Sequence, residues 1–444
     1  MNLVNKLIHL YDPFIIESDS LLYFSWLQKT QWLSRSKLDE IQRKRLRLLL
    51  EHAFRNVPFH GKMFKAKGLK PSDIKSAEDL QKLPIVTKAD IRNNFHEFLS
   101  RDFRRYGPVP NSTSGSTGEP FRYCIDRKSV AIARAAMWRG WGYAGYGLGD
   151  KVAVLAGLSL GSRLHHPLGQ AAKKVFDRTM HFPAVNLRRE ILETHAKKML
   201  RYNPKFIRGY PSSLYFFADF LEKEKIDGIY PKAVITTAEM LFPHQRSLLE
   251  KVFQCDVFDG YGAYDGGSAA LECKSHSGYH MAVEKVVNEF CDDDGNHVSE
   301  GEKGRIIATD LFNYAMPFIR YDTGDVGIYS SEECSCGRKL PLMKQVLGRT
   351  TDMLRFSNGA VLSGPSLTVI FKDFDFKQFQ LVQDRNDSLL VRVIKGETFV
   401  DEDARRLRKI LEDVIGEGVE IRFEFVDFIS PTKSGKWRFI ISRT

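Results

Sequence analysis

Val152-Ala153-Val154-Leu155, a short apolar run without a charge, opens an alternation that decides the fold class. An amphipathic segment follows at Arg189–Arg201, then the apolar pair Phe206-Ile207, a second amphipathic segment at Leu214–Glu224, and the run Ala233-Val234-Ile235-Thr236. Short apolar runs suit strands covered on both faces, and the segments between them are long enough to be helices crossing back over a sheet. The alternation predicts an α/β fold with a mostly parallel sheet.

Outward from this stretch the texture changes on both sides. Residues 1–110 read as mostly helical. From Ser36 to Phe54 the apolar positions Leu38, Ile41, Leu46, Leu49, Leu50, Ala53 and Phe54 keep helical spacing, with Ser36 placed to cap the start and Pro58 to stop continuation. A turn is expected at Pro108–Glu119 and a further helix through Val130–Trp138. On the other side, residues 283–330 read as paired strands joined by polar turns such as Asp292-Asp293-Asp294-Gly295-Asn296. From Met353 a smaller α+β unit is expected, with strand-like Leu389–Ile394 and Ile421–Val426 around a helix at Asp403–Ile415. The expected division is a large domain over 1–352, containing a helical basic part (1–110) and a β-rich part (270–350), and a small C-terminal lid over 353–444.

Composition narrows the class. In 444 residues, 43% are hydrophobic and 27% charged, which excludes a disordered or fibrous chain. No run approaches the ~18 apolar residues of a membrane helix, and Met1–Tyr11 carries Lys6 and His9 without a small-residue cleavage site. A soluble, cytoplasmic protein is the expectation. The net charge of +11 is concentrated early: residues 1–110 hold 20 Lys/Arg against 12 Asp/Glu, including Arg43-Lys44-Arg45, Arg47, Lys62, Lys65, Lys67 and Lys70. Such a face could attract phosphates, an anionic membrane or nucleic acid, or could simply be the solvated side of helices.

Six cysteines are too few and too scattered for a disulfide scaffold. Cys334-Ser335-Cys336 stands out, and Cys273 with His280 lies in the same β-rich region. Three thiolates and one imidazole suit a closed tetrahedral zinc site, with His276 as a rival ligand.

The remaining motifs each have a plain alternative. Asn111-Ser112-Thr113-Ser114-Gly115-Ser116-Thr117-Gly118 makes a poor helix and a good anion cradle, since glycines let backbone N–H groups approach and hydroxyls donate to phosphate. It could equally be a linker. Gly140-x-Gly-x-x-Gly145 matches a dinucleotide fingerprint but follows a helix rather than a strand. Asp259-Gly260-Tyr261-Gly262-Ala263-Tyr264-Asp265 sets a carboxylate on a glycine-rich aromatic loop, and Arg320-Tyr321-Asp322-Thr323-Gly324-Asp325 offers two more at a turn. Gly348-Arg349 precedes Asp352, and Pro431-Thr432-Lys433-Ser434-Gly435-Lys436 ends the chain on a lysine loop.

In this order the motifs resemble the adenylate-forming superfamily over roughly residues 36–444, and within it the phenylacetate–CoA ligase family and the capsular-polysaccharide-biosynthesis ligases grouped with it. The resemblance implies a large adenylation domain with a mobile C-terminal domain. It assigns Ser114, Gly115, Ser116, Thr117 and Gly118 to the β- and γ-phosphates of ATP, and Glu239, Tyr261 and Gly262 to the adenine. Asp325 would take the ribose hydroxyls with help from Arg349; Asp352 would be the hinge and Lys436 the mobile catalytic lysine. Asp265 replaces the usual glutamate after Tyr-Gly and is one methylene shorter, which questions direct Mg²⁺ contact. Zinc on Cys273, His280, Cys334 and Cys336 is in keeping with the family.

The implied activity is an ATP- and Mg²⁺-dependent carboxylic acid ligase passing an acyl group through an acyl-adenylate to coenzyme A. Transfer to a sugar or amine acceptor, as capsule or glycan modification requires, is the alternative. A basic zinc protein that binds nucleic acid is a distant third, since it gives the Thr-Gly-Asp and late-lysine motifs no purpose. Trp138, Trp141, Tyr143 and Gly157–His166 are candidates to line the acid pocket. The sequence leaves open a homodimer and association with a membrane surface or glycan-assembly machinery.

Overall fold

The computed structural model describes residues 19–113, 121–156, 178–184, 187, 189–263, 265–349, 354–362, 370–371, 374–430 and 438–442. By Cα packing the chain divides into two compact units. One combines residues up to Asp150 with Phe258–Val346, and the other combines Lys151–Arg163, Thr179–Val257 and Leu347–Thr444.

In the first unit the long helix Arg35–Asn56 buries Leu38, Leu46, Leu49, Leu50 and Ala53, the apolar stripe expected from their spacing. Its boundaries differ from expectation. Ser36 lies inside the first turn and Ser34 takes the cap position. Pro58 does not end the helical region: it forces Val57 into an extended conformation (φ −108°, ψ 112°) and then starts the next helix, Pro58–Ala66. A proline disfavours helical geometry in its predecessor, yet its fixed φ suits a first helical position. Thr87 and Asp90 form a reciprocal capping box at the start of Lys88–Asn93, satisfying two donors that a helix end leaves open.

Within the turn expected at Pro108–Glu119, Val109–Thr113 forms a strand paired antiparallel with Phe121–Ile125, and residues 114–119 lie outside the described residues. Asp126 then caps helix Arg127–Tyr143 by accepting the Ser129 N–H at 2.7 Å. Within that helix Gly140 serves packing. A Cβ there would stand 2.4 Å from Leu271 Cδ1, so the glycine fingerprint marks a close helix–strand approach.

Strands Val286–Cys291, Lys303–Asp310 and Tyr321–Ser330 pair antiparallel in that order, and Tyr279–Met281 lies between Leu342–Arg349 and Ser268–Glu272. A buried ion pair, Arg139 to Glu284 at 2.6 Å, joins the helix to the turn between strands Tyr279–Met281 and Val286–Cys291, and Thr30 adds a 2.6 Å hydrogen bond to the same carboxylate. Removing one partner would strand a buried charge, at a cost of about 3–5 kcal/mol.

The second unit carries the predicted alternation. Ala233–Thr237, Phe206–Gly209, Val152–Ala156 and Thr179–Pro183 lie side by side and all pairings are parallel. Helices Arg189–Tyr202, Pro211–Lys223 and Pro243–Phe253 connect or follow them. Its C-terminal part is a four-stranded sheet ordered Glu420–Phe425, Ser388–Lys395, Phe376–Gln383, Ile440–Ser442. Helix Asp401–Ile415 crosses over between the parallel pair Ser388–Lys395 and Glu420–Phe425 and buries Leu407, Leu411 and Ile415. The central strand Phe376–Gln383 has no counterpart in the sequence reading.

Candidate active site and cysteine cluster

The Thr-Gly-Asp motif is a bulge inside a strand, not the turn expected. Strand Tyr321–Ser330 pairs with its neighbour at Ala308↔Tyr321 and Ile307↔Asp322, then resumes at Arg305↔Val326. Thr323, Gly324 and Asp325 therefore stand opposite Ile306 alone, an arrangement that re-aims side chains. Gly324 supplies a φ of +77°, a region that side chains disfavour. Thr323 Oγ1 pins the bulge, donating to the Ile306 carbonyl at 2.8 Å and accepting the Asp325 N–H at 3.1 Å. The two carboxylates are thereby separated in role. Asp322 is bound by Arg305 at 2.5 Å, whereas the nearly buried Asp325 accepts a 2.9 Å hydrogen bond from the Tyr261 hydroxyl. Burial, and then the Asp325 charge, push the Tyr261 phenol well above its ordinary range, so it stays a donor.

Tyr261 and Gly262 lie on strand Asp256–Ala263. Two residues beyond it, Asp265 is buried and accepts from the Tyr321 hydroxyl at 2.7 Å, with the Lys88 ammonium 3.4 Å from the same oxygen. Gly266 packs on the bulge, where a Cβ would come within 3.1 Å of Ala308 and Thr323. Asp265 is thus paired with an ammonium and a phenol hydroxyl that fix its position.

Lys88 and Tyr321 were missed as site residues in the sequence reading. The Thr87-x-x-Asp90 capping box was the available signal, since it places Lys88 at the first helical position. Placement beside Asp265 comes from Val86, whose N–H donates to the Arg320 carbonyl at 2.8 Å and whose carbonyl accepts the Asp322 N–H at 2.9 Å.

In the second unit Glu239 accepts from the Ser212 hydroxyl at 2.6 Å and from its N–H at 3.2 Å. This ties the loop after Ala233–Thr237 to the first turn of helix Pro211–Lys223. Arg349 ends its strand after Gly348, which has φ +92° and a Cβ position 3.0 Å from Met240 Sδ. Ser114, Gly115, Ser116, Thr117, Gly118, Asp352, Lys436 and the segment 157–166 lie outside the described residues.

Cys273, His280, Cys334 and Cys336 come together, each offering one ligand atom, and all four atoms lie within 4.8 Å of one another. Cys273 Sγ is 3.5 Å from Cys334 Sγ, and Cys336 Sγ is 3.3 Å from His280 Nε2. Bonds of ~2.0–2.3 Å to a tetrahedral zinc would put such donors ~3.4–3.8 Å apart, so the donor set and its spacing fit that ion. Burial lowers the His280 imidazole to about 4 and raises the Cys273 thiol to about 11. A neutral imidazole is ready to coordinate, and a bound cation would reverse the thiol's preference. His276, the rival ligand, is bound instead to Glu272 at 3.2 Å. Tyr143, expected near the acid pocket, is buried against His280 and under Arg338.

Residues 354–443 match the family model of the CapK C-terminal domain. Protein CapK of Staphylococcus aureus is 25% identical over 91% of this chain and 89% of its own length. The chain is a homologue of CapK and of the phenylacetate–CoA ligases. Among the latter, the Thermus thermophilus phenylacetate-coenzyme A ligase is 26% identical over 72% of each chain. The same fold appears in 2-hydroxyisobutyryl-CoA ligase, solved in the postadenylation state with 2-HIB-AMP, at a TM-score of 0.75 and 22% identity over 92% of this chain and 90% of that one. The fold is that of the adenylate-forming CoA ligases. Among the described residues no helix is long and apolar enough to cross a membrane.

Proposed function

We propose that this protein is an acyl-CoA ligase working through an acyl-adenylate. The observation that carries the reading is the bulge at Thr323–Asp325 with Tyr261 hydrogen-bonded to Asp325, present in a chain homologous to phenylacetate–CoA ligases. The bulge holds a buried carboxylate in a fixed orientation, and an ionised carboxylate is the acceptor that recognition of vicinal ribose hydroxyls calls for. Ser114–Gly118 would cradle the β- and γ-phosphates, Glu239 with Tyr261 and Gly262 would flank the adenine, and Arg349 would assist at the ribose.

The first half-reaction is in-line attack of a substrate carboxylate on the α-phosphorus of ATP, with pyrophosphate leaving. Negative charge grows on the non-bridging oxygens, so positioned cations matter more than a general base. Lys436 would supply one in the adenylating state. The domain over 353–444 would then turn about Asp352, withdrawing Lys436 so that the thiol of coenzyme A can attack the mixed anhydride. Asp265, held by Lys88 and Tyr321, would keep the Tyr261 loop in place. Zinc on Cys273, His280, Cys334 and Cys336 would be structural, since four protein ligands leave no open position for hydrolysis.

The relationship to CapK supports a second reading, in which the acyl-adenylate is passed to a sugar or amine acceptor in capsule assembly. A pyrophosphate-exchange screen over a carboxylic acid library, followed by acceptor trials with coenzyme A and with amino sugars, tests both. Absence of acid-dependent exchange would refute adenylation, and product formation only with an amino sugar would select the second reading.

A further inference from the structure

Phe242 belongs to the loop between strand Ala233–Thr237 and helix Pro243–Phe253, yet its side chain is 2% exposed and clusters with the core of the C-terminal sheet. Its ring meets Phe439 edge-on with centroids 4.9 Å apart, and Phe379 edge-on at 5.7 Å. Two residues on, the His244 ring meets Phe376 of the same sheet at 5.4 Å. Edge-to-face pairs add a preferred angle to apolar burial, so these contacts orient the sheet as well as hold it. The loop itself is fixed. Gln245 Oε1 accepts the Phe242 N–H at 3.1 Å, and Ala238 takes a φ of +71°, a left-handed conformation that an alanine keeps only where its surroundings impose it. The place of these residues in the chain gives the contact its meaning. Glu239 stands three residues before Phe242, and Lys436 stands three residues before Phe439. Three residues span at most about 11 Å. The Phe242–Phe439 contact therefore ties the segment proposed to flank the adenine to the one proposed to carry the mobile lysine.

We propose that Phe242 is a positioning residue for adenylation: it seats the C-terminal sheet in the orientation that delivers Lys436 to the nucleotide, and the seat is vacated when the acyl group is transferred. Withdrawing Phe242 would expose its ring and the faces of Phe379 and Phe439 to water, which opposes departure of the sheet. Met240, packed against the same core, and the ion pair between Lys223 and Glu397 at 3.3 Å lie on the same border. No proton or bond changes hands at Phe242, so its contribution is orientation alone. The catalytic consequence rests on the ligase reading; the docking of Phe242 does not.

The test compares Phe242→Ala, Phe439→Ala, the double variant and Phe242→Leu with the parent protein. The kcat of acid-dependent pyrophosphate exchange should fall at least about tenfold in either alanine variant, the loss of aromatic edge contacts expressed as a rate. ATP affinity by calorimetry, and consumption of a synthetic acyl-adenylate with coenzyme A, should stay within about twofold of the parent. The double variant should be no worse than the more impaired single one, and Phe242→Leu should recover most of the exchange. An equal fall in both half-reactions, or undiminished exchange in folded Phe242→Ala, would overturn the proposal. Docking is also read without any substrate, by trypsin cleavage at Arg349 or Arg355 on either side of Asp352. Cleavage should be at least about tenfold faster in Phe242→Ala and near the parent rate in Phe242→Leu; an unchanged rate in Phe242→Ala would likewise overturn the proposal. Faster cleavage in Phe242→Ala, in a protein whose parent form shows no exchange with any acid, would uphold the docking and count against the ligase reading.

Discussion

Replacing Asp325 with alanine gives the sharpest test of the nucleotide site. The Asp325 carboxylate is nearly buried and accepts the Tyr261 hydroxyl at 2.9 Å, and in the proposed complex it would also accept two ribose hydroxyls. Charge-assisted hydrogen bonds contribute about 1.5–3 kcal/mol each. Loss of both, partly compensated by water entering the truncated site, should cost about 2–4 kcal/mol of nucleotide binding. At 1.4 kcal/mol per decade this weakens ATP binding roughly 30- to 1000-fold. Tyr261→Phe keeps the carboxylate but frees it to rotate, so its loss should be smaller, and the double variant should be no worse than Asp325→Ala alone because Tyr261 acts through Asp325. Calorimetric titration with ATP reads all three, with circular dichroism confirming the fold. Unchanged affinity in folded Asp325→Ala would show that the bulge does not hold the ribose. Strict additivity in the cycle would remove Tyr261 from that role.

Lys436→Ala should lose about 10²–10³ in pyrophosphate exchange while still consuming a synthetic acyl-adenylate in the presence of its acceptor; equal loss in both half-reactions would refute a swinging lysine. Protein prepared without added metal should carry about one zinc per chain by elemental analysis, and Cys336→Ser should lower both zinc content and melting temperature. Stability should fall on mild acidification. His60 and His244 are held at about 4 by burial, below their unfolded value, so the unfolded chain binds more protons as pH drops through about 6.5. Asp126 acts oppositely, since burial raises it to about 6 and protonation there favours the folded state. Linkage gives a loss of about 1.2 kcal/mol per histidine between pH 7 and 5.5 and a gain of about 0.8 from Asp126, a net loss of about 1–2 kcal/mol. Denaturant unfolding at the two pH values measures it, and a gain in stability at pH 5.5 would contradict the assigned burial.

Local patterns were readable wherever the local signal was the cause. The alternation after Lys151 became parallel strands and helices, and the stripe from Leu38 to Ala53 became one buried helix face. Cys273, His280, Cys334 and Cys336 could be grouped because the donor chemistry is distinctive. What escaped was decided by tertiary partners. Thr323-Gly324-Asp325 reads as a turn by composition, and only the ladder to Ile306 makes it a bulge. Lys88 sits in an ordinary helical start and gains its meaning from Asp265, far along the chain. The Gly140 fingerprint was already out of place after a helix, and only the close approach of Leu271 shows why a glycine stands there.

The bridge between Val86 and Tyr321 also sets a timetable for biosynthesis. Val86 leaves the ribosome early, but the strand it must pair with follows some 235 residues later. At about 5–20 residues per second that interval is roughly 10–50 s. During it, Val86 has no pairing partner, and Lys88 has no counter-charge until Asp265 is made, however well the helices around them have formed. Helices such as Arg35–Asn56 can coil at once from local contacts, but their packing against Val287 and Leu311 must wait for the same late segment. A nascent chain halted before residue 320 should therefore hold helices while the bridge from Val86 to Tyr321 and the bulge at Thr323–Asp325 remain unformed.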